Sequence, residues 1–335
     1  MKKSLYLLAA LSLLGTNVFA KEVVAEPVVS PVVKETGIVE EVVNEETDIM
    51  TEVVVPANKW VVSGNIYLES EDFDNDSRAN RDMTEFGDAN DAVFWGTGVS
   101  ATKGKLTLGL NVERRYFNDF SLDKGFDSSA TRVDYKVRYQ LFEKQAFSAK
   151  YRNEPSKNRY EIGTDFNHFN GLLAGWLVVG EDRIKGNDGW YWEGDFGPSF
   201  KLTDKLSFNP TVYTTGEFYD SYEMVETQIR LMFPYQVNEK LTVMPRVRIT
   251  LDKTWDTKDA ATDSYVRDWE NSVGDRIRYE LMANYVFNDQ LSTFVGVAYE
   301  DADRDMKNAN VLGGKDGKEG LDMIWSYVGF TYNFN

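Results

Sequence analysis

The 335-residue chain contains no cysteine, so neither a disulfide nor a thiolate-bound metal can hold it together, although an exported location would permit disulfides. Histidine is nearly missing as well. His168 stands alone, in a predicted short turn near Phe166 and Phe169, away from any serine–acid cluster that could supply a nucleophile and its base. No paired His or Cys spacing points to zinc, and no glycine-rich phosphate loop runs from a strand into a helix. Catalysis is therefore not expected, and no cofactor or metal is called for. Nor does any segment beyond the first twenty residues approach the 18 apolar residues that a spanning helix needs, which excludes a helical inner-membrane protein. A surplus of base is also lacking: the formal charge is −17, which argues against nucleic acid as a partner.

What is present begins with a short export pattern. Lys2 and Lys3 precede the apolar run Leu5 to Leu14, and Val18-Phe19-Ala20 closes it with a small residue. Residues 1–20 read as a cleavable signal peptide, with cleavage before Lys21. Residues 21–58 follow as Val pairs and Glu with Pro27, Pro31 and Pro56 and no aromatic residue. That composition predicts an extended acidic periplasmic tether, either a plain linker or a contact to a neighbouring subunit or the cell wall.

The character changes at Trp60. In Thr131 to Phe142, Val133, Tyr135, Val137, Tyr139 and Leu141 alternate with Arg132, Asp134, Lys136, Arg138 and Gln140, giving one apolar and one ionic face. Placing Arg or Lys in hydrocarbon near the midplane costs about 2–4 kcal/mol each, so the apolar row must meet lipid and the ionic row water. Similar segments recur at roughly 60–70, 92–102, 105–116, 131–142, 146–154, 159–166, 172–181, 190–202, 206–218, 223–235, 241–252, 275–287, 291–301 and 323–334. Most are 9–13 residues long, which suits tilted membrane strands better than the 5–6 residues of ordinary ones. A mean hydropathy of −0.44 does not oppose this, because averaging mixes the two rows. The expected fold is thus all-β: residues 59–335 form a transmembrane antiparallel β-barrel of about 14 strands in the bacterial outer membrane.

Connections alternate in length. Short polar turns are expected at 102–104, 143–145, 167–171, 203–205, 238–240 and 288–290, and long segments at 71–91, 118–130, 253–274 and 301–322, rich in Asp, Asn, Gly and Lys. Short turns on the inside and long loops outside are the asymmetry of outer-membrane barrels. Pro198, Pro210, Pro234 and Pro245 fall within predicted strands but near short turns, and are assigned to the rim. Aromatic side chains such as Trp60, Tyr116, Phe166, Trp190, Tyr235 and Phe287 gather at strand ends, where amphipathic rings sit at headgroup level. The segment from Asp72 to Met83 begins with carboxylates at alternate positions, yet Met83 takes the place of the bidentate Glu a calcium loop requires. Loose divalent-cation bridging to lipid remains an alternative to a solvated loop.

Carrying the alternation through each strand places Arg115, Arg132, Lys136, Arg138 and Arg152 on the inner wall, with Glu113, Asp134, Lys150, Glu161 and Asp165 beside them. Glu193, Asp195, Glu217 and Arg230 follow, then Arg246, Arg248, Arg276 and Arg278 with Glu280. Basic residues would line two opposed walls, and such rows select ions and polar solutes. The bland alternative is pairing across strands that holds the barrel open.

The export signal ending in Phe19-Ala20-Lys21-Glu22-Val23, the Val/Glu/Pro-rich tether, the fourteen alternating segments and the closing Tyr327-Val328-Gly329-Phe330-Thr331-Tyr332-Asn333-Phe334 resemble the major outer-membrane porin family of fusobacteria. The resemblance spans the whole chain through patterns. It implies a general diffusion porin, trimeric, with outer-membrane lipid, small hydrophilic solutes and ions as partners, and surface loops that also act in adhesion. Two further readings stand beside it: an adhesin barrel working mainly through its loops, and a porin specific for acidic oligosaccharides.

Overall fold

The computed structural model describes residues 59–73, 91–117, 128–259, 262–307, 317–320 and 322–334. The expected signal peptide, the acidic tether and the run from Asp74 to Met83 lie outside the described residues. Eighteen strand segments follow one another: β1 (Val61–Phe73), β2 (Asp91–Lys103), β3 (Leu106–Phe117), β4 (Ser128–Phe142), β5 (Gln145–Asn153), β6 (Lys157–His168), β7 (Leu173–Ile184), β8 (Gly189–Gly197), β9 (Phe200–Lys201), β10 (Ser207–Tyr219), β11 (Tyr222–Met232), β12 (Tyr235–Gln236), β13 (Leu241–Asp259), β14 (Ser264–Asn271), β15 (Arg276–Val286), β16 (Leu291–Met306), β17 (Gly317–Gly320) and β18 (Met323–Phe334). β8 and β9 are one strand broken at Pro198, and β11 and β12 one strand broken at Pro234, because a ring nitrogen cannot donate to the ladder. β14 and β17 pair only above the ring. What remains is a closed antiparallel barrel of fourteen strands, sealed where β1 pairs with β18 from Val62↔Phe334 to Phe73↔Met323. Closure leaves no bare edge.

The two-residue period sorts the side chains. Val137, Leu281 and Ile162 are 47%, 52% and 64% exposed on the outer face, while the alternate residues Arg132 and Arg246 are 2% and 1% exposed on the inner one. A continuous outer belt of exposed Val, Leu, Ile and Tyr would be untenable against water and is what a bilayer covers. On β18 the outer row is Ile324, Val328, Phe330, Tyr332 and Phe334, whereas Met323, Trp325 and Tyr327 are buried inside.

One end of the ring carries the tight turns. Thr203, Asn238 and Asn288 each close one in the same way, the side-chain oxygen accepting two backbone N–H groups: from Lys205 and Leu206 (3.2 and 3.0 Å), from Lys240 and Leu241 (2.9 and 3.0 Å), and from Gln290 and Leu291 (2.9 and 3.0 Å). Gly104 turns β2 into β3 with a left-handed φ of 55°.

At the other end two segments expected as long loops are partly wall. β13 runs for 19 residues, well past the roughly 9–11 that a tilted spanning strand needs. β14 folds back on it from Lys253↔Asn271 to Asp259↔Ser264 and reaches β16 at Trp269↔Met306. The hairpin is tied to its neighbours because Tyr219 of β10, Tyr222 of β11, Trp255 of β13 and Trp269 of β14 stack in sequence, with centroids 4.7, 4.4 and 5.9 Å apart. Likewise β16 extends to Met306 and takes β17 as a partner.

Candidate inner-wall site

The nineteen residues named for the inner wall lie on the rows that alternate with the exposed apolar belt, and most are locked into ion pairs. On β3 to β5, Arg132 bridges Glu113 (3.3 Å) and Glu154 (3.1 Å), Arg115 reaches the same two acids at 3.5 and 3.9 Å, and Arg152 grips Asp134 through two hydrogen bonds of 2.7 and 2.9 Å. Tyr67 of β1 donates to Glu113 (2.6 Å), so the cluster reaches back to the closing seam. Arg138 is held apart from this group by Asp165 of β6. Lys136 is exposed.

The next wall is carried by β8, β10 and β11. Arg230 pairs with Asp195 at 2.8 Å and lies over the ring of Tyr213 at 3.6 Å, and Tyr213 in turn donates to Glu193 at 2.9 Å. Glu217 accepts the hydroxyl of Tyr222 at 2.7 Å. Opposite β4, the sequence gathers arginine on β13 and β15. Arg246, Arg248 and Arg278 converge on the single carboxylate of Glu280, at 2.9 Å for Arg248 and 2.8 Å for Arg278. Arg276 spans from Glu226 (2.9 Å) to Glu300 (2.8 Å). Buried charges of this kind persist only when paired and hydrogen-bonded.

Several members of this belt escape sequence reasoning. Strict alternation from Arg246, Arg248 and Thr250 would send Asp252 inward and Lys253 outward. The bulge between Thr250 and Asp252 reverses that parity, and Lys253 turns inside to meet Glu226 at 2.8 Å. Trp325 donates to Glu69 at 2.8 Å across the seam and carries Arg278 over its ring at 4.9 Å. Arg159 and Asp182 pair at 2.6 Å between β6 and β7. Glu69 and Arg159 do sit on the ionic rows, and charge in a strand otherwise apolar on its other face is the signal that would have found them. Nothing local marks Trp325, because its row on β18 carries no charged residue.

Above the apolar band, Lys318 donates to Asp275 at 2.6 Å, and this hydrogen bond holds the Asp275 carboxyl below the usual carboxylate range. Among the described residues no group of three or more His, Cys, Asp or Glu could hold a metal ion.

No known protein-family model matches the chain, and no curated protein is similar to it in sequence. Solved structures do resemble it. A bacterial polysaccharide outer membrane secretin is similar with a TM-score of 0.50 at 8% identity, covering 82% of this chain and 99% of that one. OmpT, an outer membrane protein of Vibrio cholerae, follows at TM-score 0.41 and 13% identity over 84% and 99% of the two chains. The outer membrane channel DcaP of Acinetobacter baumannii stands at 0.39 and 12% over 82% and 95%. At these identities the likeness concerns the fold: a closed antiparallel barrel of the outer-membrane type.

Proposed function

We propose that the chain is an outer-membrane porin through which ions and small hydrophilic solutes diffuse passively. The observation that carries this reading is the sorting of side chains around the closed ring: an apolar, exposed belt outside and a belt inside that is ionic on most strands and uncharged on β2 and β18. A soluble barrel has no use for the first, and a solid plug of protein has no use for the second. Residues 1–20 supply the export step such a location needs, and the secretin whose fold the chain shares is itself an outer-membrane protein.

Purified protein added to a planar bilayer should give stepwise, ohmic conductance increments. Absence of current from folded, heat-modifiable protein would remove the porin reading and favour a barrel that acts through its loops.

A further inference from the structure

The middle of β4 lies among four carboxylates on the inner wall, and each is already taken. Asp134 is gripped by Arg152, Asp165 by Arg138, Glu161 by Lys150 at 2.5 Å, and Glu113 by Arg132 at 3.3 Å. Lys136 stands between Asp134 and Arg138 on the same inward row. Among the described residues of β3 to β6 it is the inward cation that makes no ion pair. Its side chain is exposed, whereas Arg132 and Arg152 are 2% and 8% exposed.

Its neighbours in register explain the exposure. On one side is Lys150, which turns away to Glu161. On the other is Gly109, and a Cβ there would meet nothing closer than the Lys136 Cβ, at 3.7 Å. On the Gly109 side the wall therefore carries no side chain beside Lys136, and Lys136 is left exposed on the inward row. On the β8–β10 wall the inward carboxylates Glu193 and Glu217 accept tyrosine hydroxyls.

We propose that Lys136 sets the charge preference of the pore, drawing small inorganic and carboxylate anions along the bare β3–β4 wall. This rests on the porin reading above. Arginines paired one to one present little net charge to a passing ion, and the three that share Glu280 are 1–5% exposed, while an exposed, unpaired ammonium within about 8 Å of the path escapes salt screening. In water at that distance a unit charge changes the local concentration of a monovalent ion about twofold.

The test is the zero-current potential in a KCl gradient. Chloride and potassium respond in opposite directions, so Lys136→Gln and Lys136→Glu should lower the chloride-to-potassium permeability ratio about fourfold and about sixteenfold, at unchanged heat-modifiability. Because the chain has no cysteine, Lys136→Cys introduces a sole thiol. Its thiolate attacks a methanethiosulfonate reagent, forming a mixed disulfide and releasing methanesulfinate. A cationic reagent should restore the wild-type ratio, and an anionic one should drive it further towards potassium. Normal current with a ratio that none of these changes alters would overturn the role of Lys136 while leaving the porin reading intact. No current from the wild-type protein would overturn both. Should the Glu variant fail to fold, the Cys variant before and after modification separates the same two outcomes.

Discussion

Two stretches of the inner wall face each other with opposite treatments of positive charge. On β13 and β15, Arg246, Arg248 and Arg278 share Glu280, and Arg246 and Glu280 are 1% and 5% exposed. On β3 and β4, Gly109 leaves the wall bare and Lys136 stands in the open. The difference separates two uses of a cation that look identical in sequence. A guanidinium with its planar fork can be tied to a carboxylate and become part of the scaffold, whereas a lone ammonium on a flexible stem remains available to solutes.

The sharpest way to break this contrast is to remove the shared anion. Glu280→Gln leaves three buried guanidiniums around a neutral amide, and breaking a buried pair costs about 3–5 kcal/mol. Urea unfolding of the protein in lipid vesicles should show a loss of that size. A loss under about 1 kcal/mol would mean that water, and not Glu280, balances those arginines.

A smaller effect is expected on the open side. Gly109→Leu should keep folding stability within about 1 kcal/mol, since the site has room and a strand gains little from glycine. Single-channel conductance should nevertheless fall, because the new side chain occupies the bare lane beside Lys136. Unchanged conductance would place the permeation path elsewhere around the ring.

The smallest effect lies outside the bilayer, where the Lys318–Asp275 hydrogen bond lowers the carboxyl pKa. A depressed carboxylate contributes stability that is present above its unfolded value of about 3.9 and is lost as pH falls through the folded value. Lys318→Met should return the Asp275 titration midpoint, followed by NMR in micelles, towards about 3.9. Ionic pairing in this exposed hairpin should leave the unfolding transition unmoved, in contrast to Glu280. A midpoint that ignores Lys318 would assign the shift to the Ser272 backbone N–H, which donates to Asp275 at 2.8 Å.

Much of this architecture is legible from period alone. Thr131 to Phe142 announces both faces of β4, and the parity of the fourteen segments puts the nineteen ionic residues named for the wall on the rows that alternate with the apolar belt. What the pattern does not hold is partnership. Arg276 reaches Glu226 past β13, and Arg132 reaches Glu154 beyond the end of β5; such pairs depend on tilt and side-chain length. Parity itself fails at bulges, as beside Thr250, because one extra residue inverts everything after it on that strand. The Lys253 to Gly274 segment reads as a loop because its polar residues hide the Trp255–Trp269 stack that keeps it a hairpin. The inner aromatic residues Trp325 and Tyr327 take their role from Glu69 and the seam, and no neighbour in sequence foretells that.

The seam has a consequence for the order in which the chain folds. Ser70 and Ser326, hydrogen-bonded across β1 and β18, are 256 positions apart, and joining the ends of a loop that long costs about 5 kcal/mol of chain entropy. With the strands laid down in chain order, that cost falls in one late step, since β1 would wait with a bare edge until the 12 residues of β18 arrive. Every intermediate before then exposes two unpaired edges, the state most prone to pairing with the wrong strand. Once the seam forms, however, the ring has no beginning: joining its ends and opening it between β7 and β8, where Gly186 turns the chain with a φ of 77°, would ask the same strands to make the same neighbours in a different sequence of arrivals.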